Sequence, residues 1–276
     1  MLSDNKIIAL FCIVGDMLKN LRHREDITIK VSDSEIITTS FVSVLYFGGH
    51  LDNARHFMKM SGYMPAMVDK SRFCRRLHRV SDLVMSMFFE MSQHLKDMAG
   101  ATDYVLDSLP VAVCDNVRIS RSKVLKGKRF LGRQSAMSRY FYGVRVQLLT
   151  LQGIPVEFCL VPGKENDTKA LRKLPFQVAA GSNIYMDAGY TDYTAEDDAA
   201  FAESIRLMTA RKANSRRKDE PHIRYIKDTE RKNIEKTISL IKAKMLRSIH
   251  AVTMQGFLIK VALFVIAFAF DKITDN

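Results

Sequence analysis

The chain has 276 residues and 47% apolar content, enough to bury a full core, which excludes a disordered or low-complexity tail. Lys and Arg outnumber Asp and Glu by 42 to 30, a formal charge of +12 that favours a polyanionic partner such as double-stranded DNA over an acidic or neutral one. Cys12, Cys74, Cys114 and Cys159 lack C-x-x-C spacing, which excludes a zinc knuckle or a disulfide framework and fits a reducing cytoplasm; Cys74 and His78, four apart on a helix, have no second pair nearby to share a metal with.

No basic region followed by an apolar core and a small-residue cleavage site opens the chain, so no signal peptide is expected. The first hundred residues read as helical and are expected to form an all-α domain, 1–100. Ser32-Asp-Ser-Glu35 is a capping-box sequence that opens a helix running to about Phe47, where Gly48-Gly49 stops it. A short helix follows over Leu51 to Met60, and Gly62 with Pro65 breaks the chain before a long helix from about Ser71 to Met98. Phe73, Leu77, Val80, Val84 and Met87 form its buried face, and Arg72, Arg75, Arg76 and Arg79 line one side. That basic side fits a helix-turn-helix DNA reader or simply a solvated face.

After Gly100 the pattern turns to strands, and 101–276 is expected to be a second, α/β domain. Strands are predicted over Asp103 to Val113, Phe141 to Leu151 and Ile154 to Val161, the last two joined as a hairpin by Gln152-Gly153. A helix over Asp167 to Ala179, a strand over Asn183 to Asp187, a helix over Thr194 to Glu203 and a strand over Ile205 to Ala210 follow, giving the order β-β-β-α-β-α-β. Asn116 to Tyr140 holds eight Lys or Arg and no acid, so it reads as a mobile basic loop. Its Arg118, Arg121, Lys126, Lys128 and Arg129 are candidate phosphate contacts, since each neutralised phosphate releases counterions. The basic stretch from Arg211 to Lys227 is tempered by Asp219 and Glu220 and reads as an exposed loop. A long helix is predicted from about Asp228 to Ile249. The apolar run Gly256 to Phe270 carries Lys260 and is shorter than the roughly 20 residues that span a bilayer, so a buried C-terminal helix is expected and no membrane partner.

Three acids stand out within this frame. Asp107 lies mid-strand in Y-V-L-D-S-L-P, Asp187 closes the strand I-Y-M-D, and Glu235 rides the late helix. An ionised carboxylate on an apolar strand needs a partner or a cation. In a mixed sheet of this order the first and fourth strands are expected side by side, which brings Asp107 to Asp187. Such hard oxygen donors suit Mg²⁺ or Mn²⁺, and two ions about 3.5–4 Å apart serve both the attacking and the leaving oxygen of an in-line displacement. On the late helix Ile234, Ile238, Ile241, Met245 and Ile249 make the packing stripe, and Arg231, Glu235 and Lys242 fall within about 40° of one another at its edge. As an isolated feature, Arg231 and Glu235 also read as an ordinary i to i+4 surface pair. Asp167 reads as a helix N-cap.

The run Y-x-L-D-S-x-P, the F-Y-G-V-R-V hairpin from Phe141, the Y-M-D-A-G-Y strand end from Tyr185 to Tyr190 and the R-x-x-x-E-x-x-x-x-x-x-K helix resemble bacterial insertion-sequence transposases of the DDE type. The resemblance spans roughly Asp103 to Phe270. It implies an RNase H-like core, a mixed five-stranded sheet flanked by helices, with Asp107, Asp187 and Glu235 as ligands of divalent metal. It implies Arg231 and Lys242 as DNA phosphate contacts, and cleavage of element ends followed by joining to target DNA in a homodimer or larger assembly. Two positions depart from the pattern: Asp228 stands where a Tyr is often found, and Gln147 where a His would be familiar, so neither residue's role carries over.

Overall fold

Apolar stripes at helical spacing organise the first part of the computed structural model, which describes residues 4–26, 28–134, 139–245 and 249–274. Helix α1, Asp4–Asn20, buries Ile7, Leu10, Val14 and Leu18 on one face. Helix α2, Asp33–Phe47, begins with the expected capping box: Glu35 N–H donates to Ser32 Oγ at 3.2 Å, and Ser32 N–H donates to Glu35 Oε2 at 2.6 Å. It ends at Gly48 in the left-handed region. Gly49 follows at φ +81°, where a Cβ would also stand 2.8 Å from Phe264 Cζ, so both conformation and space demand glycine. Helix α3, Leu51–Met60, comes next.

The single helix predicted from Ser71 to Met98 is two, α4 (Lys70–Arg79) and α5 (Ser81–Ala99). Ser81 Oγ donates to His78 O at 2.8 Å, offering the backbone a local alternative to the helical ladder at the break. The C-terminal helix α9, Met254–Thr274, is buried almost all round from Leu263 to Asp271. Helices apolar on every side need enclosure. It finds this against α1 and α2, with the Phe41 and Phe270 rings 5.1 Å apart. Residues 1–91 and 241–276 accordingly form one compact unit, and 92–240 the other. Among the described residues no helix is long and apolar enough to cross a membrane.

The second unit is built on β1 (Asp103–Cys114), β2 (Leu131–Gln134), β3 (Arg139–Leu151), β4 (Ile154–Pro162), β5 (Asn183–Met186) and β6 (Arg206–Thr209). They form one mixed sheet of six strands, where five are expected. Leaving β2 aside, the order is β4-β3-β1-β5-β6, with β1 antiparallel to β3 and parallel to β5. The additional strand is β2, which lies in the segment predicted as a mobile loop and pairs with the start of β3. The segment is anchored there because Leu125 and Phe130 are buried and the Tyr142 hydroxyl donates to Leu125 O at 3.1 Å. Residues 135–138 of the predicted loop lie outside the described residues. The β3–β4 hairpin turns through Gln152 and Gly153, both at positive φ, as a two-residue turn matching strand twist requires.

Helix α6 spans only Asp167–Leu171, not the predicted Asp167 to Ala179, because Pro175 disfavours helix in the residue before it. Helix α7 covers Tyr193–Ala202. Helix α8 covers Pro221–Lys244, starting earlier than predicted with Pro at the first helical position and ending before Ile249. Tyr104, Leu106, Leu149, Leu151, Ile184, Met186 and Tyr190 pack one core cluster of the sheet with Leu171 of α6. Ile234 and Ile238 of α8 are buried, and Thr237 Oγ1 donates to Gly153 O at 3.3 Å.

Candidate active site

The last parallel pairing of β1 with β5 is Leu106 with Met186, so Asp187 follows where β5 ends, beside Asp107, which continues in β1 paired with Leu148 of β3. Asp107 is partly buried and its Oδ1 accepts from Ser108 N–H at 2.6 Å. Burial pushes its carboxyl up to about 6; the Ser108 N–H pulls it back, Asp187 and Asp167 push it further up, and Arg231 opposes them. Asp107 is therefore a carboxylate whose charge the protein under-compensates.

That imbalance has a measurable consequence. Titrating near 6 in the fold against 3.8 ordinarily, Asp107 keeps its proton in the folded state between those values. Stability is present below that window and is lost as pH rises through it. Asp107→Asn is expected to stabilise the protein in chelator above pH 6 by about 1–3 kcal/mol, with no gain below pH 4. Denaturant unfolding at the two pH values reads this directly.

Asp187 sits just past β5 and leads into a turn of 3-10 helix at Ala188–Tyr190. Arg231 of α8 reaches it: one Arg231 guanidinium nitrogen lies 3.4 Å from Asp187 Oδ1 and 3.6 Å from Glu235 Oε1. Glu235 is thus joined to the strand acid through a shared cation, its side chain remaining 60% exposed. Asp187, Glu235 and Arg231 come together here, with Asp107 beside Asp187. Lys242 lies in the last turn of α8, in the residues that belong to the helical unit.

Several residues near the acids carry no distinctive sequence signal. The N-cap of α6 is Asn166, whose side chain accepts from Lys169 N–H at 3.0 Å, and not the predicted Asp167. Asp167 Oδ1 instead lies 3.4 Å from Gln147 Nε2 and 3.8 Å from an Arg145 guanidinium nitrogen. The Tyr190 hydroxyl donates to Gln147 Oε1, and Arg145 donates to Ser108 Oγ at 3.3 Å. Burial holds the Tyr190 phenol well above its ordinary range, reinforced by Asp167 and Asp107.

The candidate DNA contacts divide by environment. Arg118, Arg121, Lys126, Lys128 and Arg129 are all exposed, the guanidinium of Arg129 lying 4.9 Å from the Phe130 ring centroid. On α4, Arg72, Arg75 and Arg79 are exposed. Arg76 is withdrawn from that basic side: it donates to Val31 O and pairs with Asp33. The stretch from Arg211 to Glu220 is the exposed loop expected, with Lys212, Arg216 and Lys218 exposed, although Arg211 and Arg217 pair with Glu196 and Asp197, and Lys227, in α8, is buried against Asp219. Among the described residues, His23, Glu25 and Asp33 alone meet metal-ligand spacing in a group of three or more, but Asp33 already pairs with His23 and Arg76, and Glu25 accepts from Asp33 N–H.

The family described as "Transposase DDE domain" matches residues 99–251. No curated protein matches the sequence. A cryo-EM structure of a piggyBac transposase synaptic complex with hairpin DNA aligns with 96% of this chain and 72% of that chain, at 8% identity and a TM-score of 0.42.

Proposed function

The chain belongs to the Transposase DDE domain family, and from that premise we propose that it cleaves the ends of an insertion sequence and joins them to target DNA. The observation that carries this reading is the placement of Asp107, in the middle of β1, beside Asp187 just past the end of the neighbouring β5, with Glu235 linked to Asp187 through Arg231. The donor chemistry suits a hard divalent cation, Mg²⁺ or Mn²⁺, because Asp107 is an incompletely compensated, partly buried carboxylate beside a second one, while the carboxylates of Asp107, Asp187 and Glu235 do not all stand within ligand spacing of one another here. Asp107, Asp187 and Glu235 would hold it, with two ions as the expected number. A bound divalent ion supplies a more nucleophilic attacking oxygen and stabilises the leaving one.

The remaining work falls to the chain itself. Arg231, now neutralised by two carboxylates, would turn to a DNA phosphate and hold it in line for displacement, with Lys242 further along α8. The exposed arginines and lysines from Arg118 to Arg129 would track the backbone of double-stranded DNA, and Arg72, Arg75 and Arg79 would add contacts from the helical unit. Two element ends must be held together, so a homodimer or larger assembly in the cytoplasm is the expected working form.

A pre-nicked element end with a free 3′-hydroxyl, incubated with target DNA and Mn²⁺, tests the reading. Strand-transfer products are expected. Hydrolysis without joining would reassign the protein as a nuclease, and DNA binding with no turnover would reassign it as a non-catalytic derivative.

A further inference from the structure

We propose that Asp167 is a fourth carboxylate of the acidic centre, and that Gln147 and Tyr190 are positioning residues that aim it there. The proposal rests on the reading of Asp107 and Asp187 as cation ligands. Asp167 opens α6, a place where an acid ordinarily caps the helix or turns to water, but Asn166 already supplies the cap. Its side chain, 25% exposed, turns toward Gln147 and Gly189 instead. Gly189, two residues beyond Asp187, makes the room: a Cβ there would stand 3.2 Å from Asp167 Oδ2. Thr168 Oγ1 donates to Gly189 O at 3.2 Å and ties the same two segments together.

A buried relay fixes the orientation of the carboxylate. Gln147 is fully buried and Tyr190 is 1% exposed. The Tyr190 hydroxyl donates to Gln147 Oε1, which leaves the Gln147 amide N–H groups facing Asp167 Oδ1 at 3.4 Å. Burying an amide and a phenol is costly unless both are bonded, so the relay specifies one geometry. Gln147 lies opposite Ser108, the neighbour of Asp107, and Tyr190 follows Asp187 by three residues, so the relay is anchored beside both acids.

A plain counter-ion role for Asp167 toward Arg145 is the weaker reading. Arg145 is already committed to Gly163 O at 3.2 Å, Ser108 Oγ at 3.3 Å and Arg133 O at 2.6 Å, and its 3.8 Å approach to Asp167 is beyond hydrogen-bond distance. Asp167 adds charge for a divalent cation, either directly or through a water of hydration, which Mg²⁺ retains readily.

Mn²⁺ binding by the full chain, followed by electron paramagnetic resonance of the free aquo ion, tests this, with thermal unfolding run on every variant. Asp167→Asn is expected to weaken Mn²⁺ binding about 10- to 100-fold, and Tyr190→Phe by a smaller factor, with Asp167→Glu restoring part of the loss. A wild-type titration in Asp167→Asn overturns the proposal. Should that variant fail to fold, unchanged affinity in both Tyr190→Phe and Asp167→Glu overturns it equally. Asp187→Asn separates the two readings: if it loses Mn²⁺ while Asp167→Asn does not, only the fourth carboxylate falls, and if it titrates like wild type, the acidic centre itself falls and this proposal with it.

Discussion

Asp187→Asn is expected to lower metal-dependent strand cleavage by at least about 10³-fold, a loss of about 4 kcal/mol in transition-state stabilisation, while affinity for double-stranded DNA stays within a few-fold. The substitution keeps the side chain's shape but removes the charge that, with Asp107, makes this corner of the sheet attractive to a divalent cation. Asp187 is 47% exposed, so the fold does not depend on it. Its removal also frees Arg231 from one of its two carboxylates, which favours phosphate contact over weakening it. Cleavage of a labelled element end in Mn²⁺, paired with fluorescence anisotropy for DNA binding in Ca²⁺, separates chemistry from binding. Retained cleavage would remove Asp187 from the centre. A parallel fall in binding would make it a DNA contact instead.

How much of this was legible in the sequence depended on the range of the interactions. Asp107 and Asp187 interrupt apolar strand patterns, and the β-β-β-α-β-α-β order is local information, so their adjacency follows once β1 and β5 pair. Glu235 followed from helix phase, but phase could not reveal that Arg231 stands between it and Asp187. In sequence Asp167 reads as a cap because a helix N-terminus explains an acid locally, whereas its seat is set by Gln147, 20 residues away, and by the missing Cβ of Gly189. The segment holding β2 reads as a loop because eight cations among two glycines look solvent-bound, and only the surroundings of Leu125, Phe130 and Tyr142 show it tied to the sheet. In α9 the apolar run was evident, but not that α1 and α2 would enclose it. Arg76 looked like its neighbours Arg72, Arg75 and Arg79 until Asp33, 43 residues earlier, claimed it.

The same long range hides a buried ion pair of the sheet unit. Lys96→Met is expected to destabilise that unit by about 3–5 kcal/mol, because it strands a buried carboxylate. Lys96, at the end of α5, donates to Glu157 Oε1 of β4 at 2.9 Å, and both side chains are only 4% exposed. Glu157 Oε2 has no hydrogen-bond partner, and neither has the nearby Tyr104 hydroxyl, whose phenol is pushed up by burial first and by Glu157 second. With the ammonium gone, nothing among these groups offers a donor strong enough to hold the charge. The carboxylate would then take up a proton or admit water, and either route costs stability. Replacing both partners, Lys96→Met with Glu157→Leu, is expected to recover most of the loss, since an apolar pair of similar volume satisfies the site without desolvating a charge. Urea unfolding of the two single variants and the double variant measures the coupling between them. A Lys96→Met loss below about 1 kcal/mol would mean that the Glu157 charge finds water in the folded protein, and the pair would then count as no more than a surface ion pair.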